Sequence, residues 1–157
     1  MEELYSEFLN VANKLNYELE ISPLLYGSLG LQKITDFEFC PDDIDILIPQ
    51  IYLDEKWNIF RKTIEELGYE LIDLHEHAFL KDKYKIAFAE IESLVPFTGI
   101  DIEYIENRCD KGIKYKILNL EEYLKVYLQS SKDGYRKMKN NDKDLIKIEV
   151  IKHLLNK

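Results

Sequence analysis

The sequence predicts an α+β domain, a mixed β-sheet flanked by helices and closed by a helical C-terminal part. Three patterns predict it. Apolar residues recur at helical spacing in two early segments, Leu4, Phe8, Val11 and Leu15 in one and Trp57, Phe60, Ile64 and Leu67 in the other. Between residues 69 and 105 the chain is instead rich in short strand-like runs. Beyond Asn119 the helical spacing returns, with Leu145, Ile148, Ile151 and Leu155 in register in a last helix over about 141–156.

Taken in order, residues 3–16 form the first helix. Residues 20–26, EISPLLY, read as a short strand leading into the turn GSLG. Ile44 to Pro49 is a continuous apolar strand, of the kind buried on both faces. Asp54 then caps a helix that runs through Leu67 and stops at Gly68. Four strand segments follow, at 69–75, 77–82, 84–92 and 99–105. Asn119 and Glu122 have the spacing of a capping box for the helix LEEYLKVYLQSS. With no repeat, low-complexity tract or Pro/Gly-rich linker, one domain is expected over 1–157. Its sheet and helices occupy about 1–106 and its C-terminal helices about 117–157.

Composition narrows the classes of function. At 157 residues the chain can bury a core without disulfides, and Cys40 and Cys109 make no zinc-type pair, as expected in a reducing cytoplasm. There is no 18-residue apolar run for a membrane helix, and the acidic start MEELYSEFLN is unlike a secretory signal. The net charge of −9 argues against nonspecific nucleic-acid binding. That charge reverses locally in KDGYRKMKNNDK, Lys132 to Lys143, a basic turn expected between the last two helices.

The most informative stretch is LLYGSLGLQKITDFEFCPDDIDILIP. On a strand, residues two apart point to one side, so Asp43 and Asp45 project together while Ile44 and Ile46 face the core. Paired carboxylates raise each other's proton affinity or recruit a cation, and oxygen-only ligands suit Mg²⁺ or Mn²⁺ held together with substrate phosphates. Upstream, Gly27 lets backbone approach a ligand, and the Ser28 hydroxyl with nearby N–H groups can hold phosphate oxygens. Each feature alone has a plain reading, a turn glycine or a solvated acidic loop. A phosphate cradle and an acidic pair on adjoining strands together point to phosphoryl or nucleotidyl transfer.

YGSLG followed by DDIDILIP resembles the glycine-serine turn and Asp-x-Asp strand of the nucleotidyltransferase superfamily that includes DNA polymerase β. Its small lincosamide-type, aminoglycoside-type and minimal members are the nearer relatives in this resemblance. It implies the nucleotidyltransferase fold and a metal-bound nucleoside triphosphate, ATP being the expected one. Asp43 and Asp45 would be the metal ligands, and Gly27 and Ser28 would contact the triphosphate. The helical end resembles that of the lincosamide-type enzymes, with Lys143-Asp144 in the place of a recurring Lys-Asp. Fourteen residues separate Ser28 from Asp43, more than the superfamily usually places there, so ITDFEFCP is expected to form a longer loop over the triphosphate.

Such enzymes generally use a third carboxylate on a neighbouring strand. Asp101 is the first choice, then Glu90, with Asp73 suited to the smallest members. Arg136 and Lys137, with Lys132, Lys139 and Tyr135, would meet the triphosphate if the basic turn folds back on it. Tyr123 and Tyr127, four apart, read as a core stripe rather than a base platform. His75 and His77 could bind zinc with Asp73, but histidines at a turn between strands more often sit in solvent.

The expected function is transfer of a nucleoside monophosphate from a nucleoside triphosphate to a hydroxyl of an acceptor. A small molecule such as an antibiotic is the first acceptor, with a protein hydroxyl or an RNA end as alternatives. A homodimer is compatible with the sequence. The rival readings are a catalytically idle member of the fold acting as a binding module or antitoxin-like partner, an unrelated metal-dependent phosphohydrolase, and a plain domain with a solvated acidic loop.

Overall fold

A computed structural model describes residues 2–132 and 134–157, and the side chains of 3–132 and 143–157. Its seven strands are β1 (Leu24–Tyr26), β2 (Asp43–Ile48), β3 (Glu70–Asp73), β4 (Ala78–Lys81), β5 (Tyr84–Glu90), β6 (Glu106–Asp110) and β7 (Ile113–Ile117). They form one sheet in the order β3-β4-β5-β2-β1-β7-β6. The sheet is mixed: β1 runs parallel to β7 and β2 parallel to β5, and the other pairs are antiparallel. The helices are α1 (Glu2–Leu19), α2 (Gly27–Thr35), α3 (Trp57–Glu65), α4 (Leu94–Thr98), α5 (Leu120–Lys132) and α6 (Gly134–Leu155).

Strand alternation sorts the core onto the two faces of the sheet. Ile44, Ile46 and Ile48 of β2 pack with Phe8, Val11 and Leu15 of α1 and Phe60 and Ile64 of α3. Leu47 and Leu24 pack on the other side with Leu94, Tyr123, Val126, Ile148 and Ile151. The first face is thus roofed by α1 and α3, and the second by α4, α5 and α6. Among the described residues no helix is long and apolar enough to cross a membrane.

Several expectations are met and several corrected. The stripes of α1 and α3 face the core as expected, although α3 starts at Trp57 with Lys56 at its N-cap position, not at Asp54. The capping box of α5 is present: the Glu122 N–H donates to Asn119 Oδ1 at 2.8 Å and the Asn119 N–H to Glu122 Oε1 at 2.9 Å. Residues 99–105 are not a strand. Gly99 ends α4 with φ 76°, and Asp101 caps a short 3-10 turn over Ile102–Tyr104. The sheet continues instead into the β6–β7 hairpin, so it extends beyond residue 106.

GSLG is not a turn either, because α2 begins at Gly27 itself. That helix takes up half of the long spacer before Asp43. Only residues 36–42 remain irregular, held by the Phe39 N–H donating to the buried Gln32 Oε1 at 2.8 Å. Nor do residues 134–142 of the basic run form a turn: their backbone is already helical, within α6, and Asp133 lies outside the described residues. On α6 Ile148 and Ile151 are buried but Leu145 and Leu155 are exposed, so the buried stripe is Asp144, Lys147, Ile148 and Ile151.

Candidate functional site

The site starts where β1 turns directly into α2. Leu24 and Leu25 are fully buried in the middle of the sheet, and Tyr26 lies opposite Asp45 of β2. The next residue, Gly27, has φ 63°, the left-handed region that favours glycine. A Cβ there would stand 2.4 Å from Asp45 Oδ2, so only a residue without a side chain lets the backbone press against this carboxylate. Ser28 follows in the first turn of α2, where backbone N–H groups have no partner within the helix. The local sequence therefore dictates a helix start beside a carboxylate, where the orphan N–H groups and the positive end of the helix favour negative charge.

Tyr123 of α5 fixes this junction from above. Its hydroxyl donates to the Gly27 carbonyl at 3.2 Å. At Gly30, one turn into α2, a Cβ would meet that hydroxyl at 2.1 Å and the Leu25 carbonyl oxygen at 2.7 Å. Complete burial pushes the Tyr123 pKa well above its ordinary value, and Tyr127, Tyr26 and the Asp45 carboxylate add to the shift. The hydroxyl therefore stays protonated and a donor. Tyr127 stacks on Tyr123 with ring centroids 5.9 Å apart. Both belong to the core, as expected, and both also line the cavity beside Asp45.

On β2, Asp43, Asp45 and Leu47 share one face, and the parallel neighbour β5 sets Lys85, Ala87 and Ala89 directly beside them. Lys85 Nζ lies 3.8 Å from Asp43 Oδ2. None of the three expected third carboxylates stands on β5 directly beside Asp43 or Asp45. Glu90 pairs with Ile48 at the far end of β2, on the face of Ile44 and Ile46. The Asp101 carboxylate accepts the Glu103 N–H at 3.0 Å, as the cap of the 3-10 turn rather than on a strand. Asp73 lies beyond Ala87 and Ala78 in the same cross-strand row, and it accepts the Glu76 N–H at 3.1 Å. The carboxylate that does reach the cavity is Glu76, from the β3–β4 turn.

That cavity, of about 440 Å³, runs from Gly27 and Asp45 along Ala87 and Ala89 to Phe97, under Tyr123, Val126 and Tyr127. Two alanines on β5 leave its floor low. The zinc alternative finds no geometry: among the described residues no three His, Cys, Asp or Glu side chains are grouped to hold a metal, and His77 stands edge-on to Trp57 with ring centroids 5.1 Å apart. Cys40 and Cys109 are exposed and separate.

The sequence reading missed Lys147. It sits one turn after Asp144 on the inner face of α6, nearly buried, and its Nζ donates to Ser28 Oγ at 2.8 Å. The same ammonium lies 5.2 Å from the centre of the Tyr127 ring. Of the Lys143-Asp144 pair, Asp144 is buried and Lys143 exposed. The signal was legible: Asp144 and Lys147 share a helix face with Ile148 and Ile151, and charged residues on an apolar stripe need a reason. The side chains of Tyr135, Arg136, Lys137 and Lys139 lie outside the described residues.

No family model matches the chain. A crystal structure of an antigenic nucleotidyltransferase-like protein from Paracoccidioides brasiliensis superposes with a TM-score of 0.68 at 18% identity, covering 98% of this chain and 77% of that one. The fold is therefore nucleotidyltransferase-like. The uncharacterized protein YnaI of Bacillus subtilis (strain 168) is 49% identical over 152 residues, 97% of each chain. At that identity over nearly the full length, this chain belongs to the same family as YnaI.

Proposed function

We propose that this protein is a metal-dependent nucleotidyltransferase, which moves a nucleoside monophosphate from a nucleoside triphosphate to a hydroxyl of an acceptor. One observation carries the reading: the start of α2 at Gly27 is pressed against the Asp45 carboxylate, with Ser28 and the Lys147 ammonium alongside. Donors for phosphate oxygens and a ligand for a cation thus meet at one point. The donor set fits Mg²⁺ or Mn²⁺, because Asp43 and Asp45 offer hard oxygens from one face of β2 and the triphosphate would supply the rest.

In this reading the N–H groups at the start of α2, Ser28 Oγ and Lys147 Nζ grip the phosphate chain and orient it. A cation between Asp43, Asp45 and the phosphates would neutralise charge that develops on the leaving oxygens. An acceptor hydroxyl oxygen bonds to the α-phosphorus while the bond to the β-bridging oxygen breaks. Pyrophosphate leaves, and the hydroxyl proton passes to base or solvent. The cavity beside Asp45 suits a small acceptor, and ATP is the first nucleotide to try.

A second reading has support of its own. Lys85, Ala87 and Ala89 occupy the row where a third carboxylate would complete the site. That composition favours an idle member of the fold, which binds a nucleotide without turning it over and serves as a binding module or antitoxin-like partner.

Thermal unfolding with each of the four common nucleoside triphosphates, with and without Mg²⁺, tests the site. Binding at a hundredfold excess over the dissociation constant adds roughly 2.7 kcal/mol. The enzyme reading expects a Mg²⁺-dependent rise in melting temperature that Asp43→Asn/Asp45→Asn abolishes, and pyrophosphate release when acceptors are supplied. Stabilisation without pyrophosphate release across an acceptor panel favours the idle reading. No stabilisation by any nucleotide refutes both.

A further inference from the structure

We propose that this site takes a single divalent cation, with the Lys85 ammonium fixed in the place of a second. The inference rests on the nucleotidyltransferase reading above and specifies its charge arrangement. Two-metal sites hold their ions about 3.5–4 Å apart, each needing its own carboxylate oxygens. Asp43 and Asp45 can bind one ion together with substrate phosphates. A second would have to draw ligands from the neighbouring strands.

The register shows what those strands offer. On the β1 side Asp45 faces Tyr26 and then Gly27, whose backbone already lies against the Asp45 carboxylate. On the β5 side the row is Lys85, Ala87 and Ala89, without a single oxygen-bearing side chain. Parallel neighbours in a sheet lie about 4.8 Å apart, so Lys85 is held beside Asp43 by the backbone itself. Its Nζ stands 3.8 Å from Asp43 Oδ2, within the range where a cation would neutralise that oxygen.

An exposed ion pair of this kind adds little to stability. Its consequence is local. A dication bound on the β5 side of Asp43 would meet this positive charge and find no further side-chain ligand on β5. The same ammonium neutralises part of the acidic pair, so one ion satisfies the remainder. Glu76 is the carboxylate placed to contradict this, since it reaches the cavity from the β3–β4 turn.

The test counts ions rather than turnover. Mn²⁺ is titrated against the protein saturated with a non-hydrolysable α,β-methylene ATP, and free Mn²⁺ is read by electron paramagnetic resonance. The full chain should bind one Mn²⁺ per bound nucleotide. Lys85→Glu, which places a carboxylate beside Asp43, should admit a second ion, and Lys85→Met should tighten Mn²⁺ binding at least threefold. Circular dichroism confirms that both variants fold; Lys85 is half exposed, so neither change opens the core. Two ions per nucleotide in the unaltered chain, the second lost in Glu76→Gln, would overturn the inference and leave the nucleotidyltransferase reading standing. So would Mn²⁺ binding that neither Lys85 variant changes. Failure of the analogue to bind at all would overturn both.

Discussion

Gly30→Ala is the perturbation that most directly probes the roof of the site. In an ordinary helix interior this change stabilises by about 1 kcal/mol. Here the new methyl would stand 2.1 Å from the Tyr123 hydroxyl and 2.7 Å from the Leu25 carbonyl oxygen, and the second of these is backbone of β1, inside the sheet. Overpacking of this kind costs about 1–3 kcal/mol. Displacing the tyrosine also breaks its hydrogen bond to the Gly27 carbonyl, worth about 1 kcal/mol. The net effect is a loss of about 1–3 kcal/mol, read as a fall in melting temperature of roughly 3–10 °C for a chain of this size.

Tyr123→Phe separates the two contributions. Alone it costs about 1 kcal/mol for the hydrogen bond. Combined with Gly30→Ala it removes the tighter of the two clashes, so the double variant should be more stable than the sum of the singles by about 1 kcal/mol or more. Urea unfolding of the four proteins, followed by circular dichroism, gives the cycle. A Gly30→Ala protein as stable as the parent would refute the reasoning. So would singles that add to within about 0.5 kcal/mol.

Two further outcomes are expected. Gly27→Ala forces a side chain into left-handed backbone, which costs about 1–2 kcal/mol, and drives the Asp45 carboxylate from its place; the variant should fold with a lowered melting temperature and show no Mg²⁺-nucleotide stabilisation, and retention of that stabilisation would count against the site. At Glu7, burial favours the protonated form, but hydrogen bonds from Lys81 and Tyr69 outweigh it and hold the carboxyl below its ordinary 4.5. With the folded value the lower one, Glu7's contribution is complete above the unfolded pKa and is lost as pH falls through the folded value. Glu7→Gln should therefore flatten the fall in melting temperature between about pH 5 and pH 3, and an unchanged slope would show that acid unfolding is governed elsewhere.

Much of the fold was legible because its strongest signals are local. The apolar run of β2 with aspartates at its start gives the half-buried, then buried pattern observed, and the stripe of α1 needs only helical periodicity. The β6–β7 hairpin was missed for a physical reason. ENRCD carries few residues with strand preference, and it becomes a strand only because β7 pairs with β1, about ninety residues away. The alternation in GIDIEYI imitated a strand, while its buried members, Ile100 and Ile105, serve as anchors for a loop in the second core cluster. At the site, the Gly27–Asp45 contact was foreshadowed by the glycine and the acidic pair. The alanine row of β5 was not, since which strand lies beside β2 is a property of topology rather than of any short stretch.

The link between Lys147 and Ser28 joins residues 119 positions apart. During synthesis the glycine, the serine and both aspartates leave the ribosome long before that lysine does. Until α6 docks, the start of α2 lacks the Lys147 ammonium, and a contact of such long sequence separation carries a large loop-closure entropy cost. Completing the fold and bringing Lys147 to Ser28 are thus one event. An anion held by both Ser28 and Lys147 would act as a clasp on the last helix, slowing its release from the sheet.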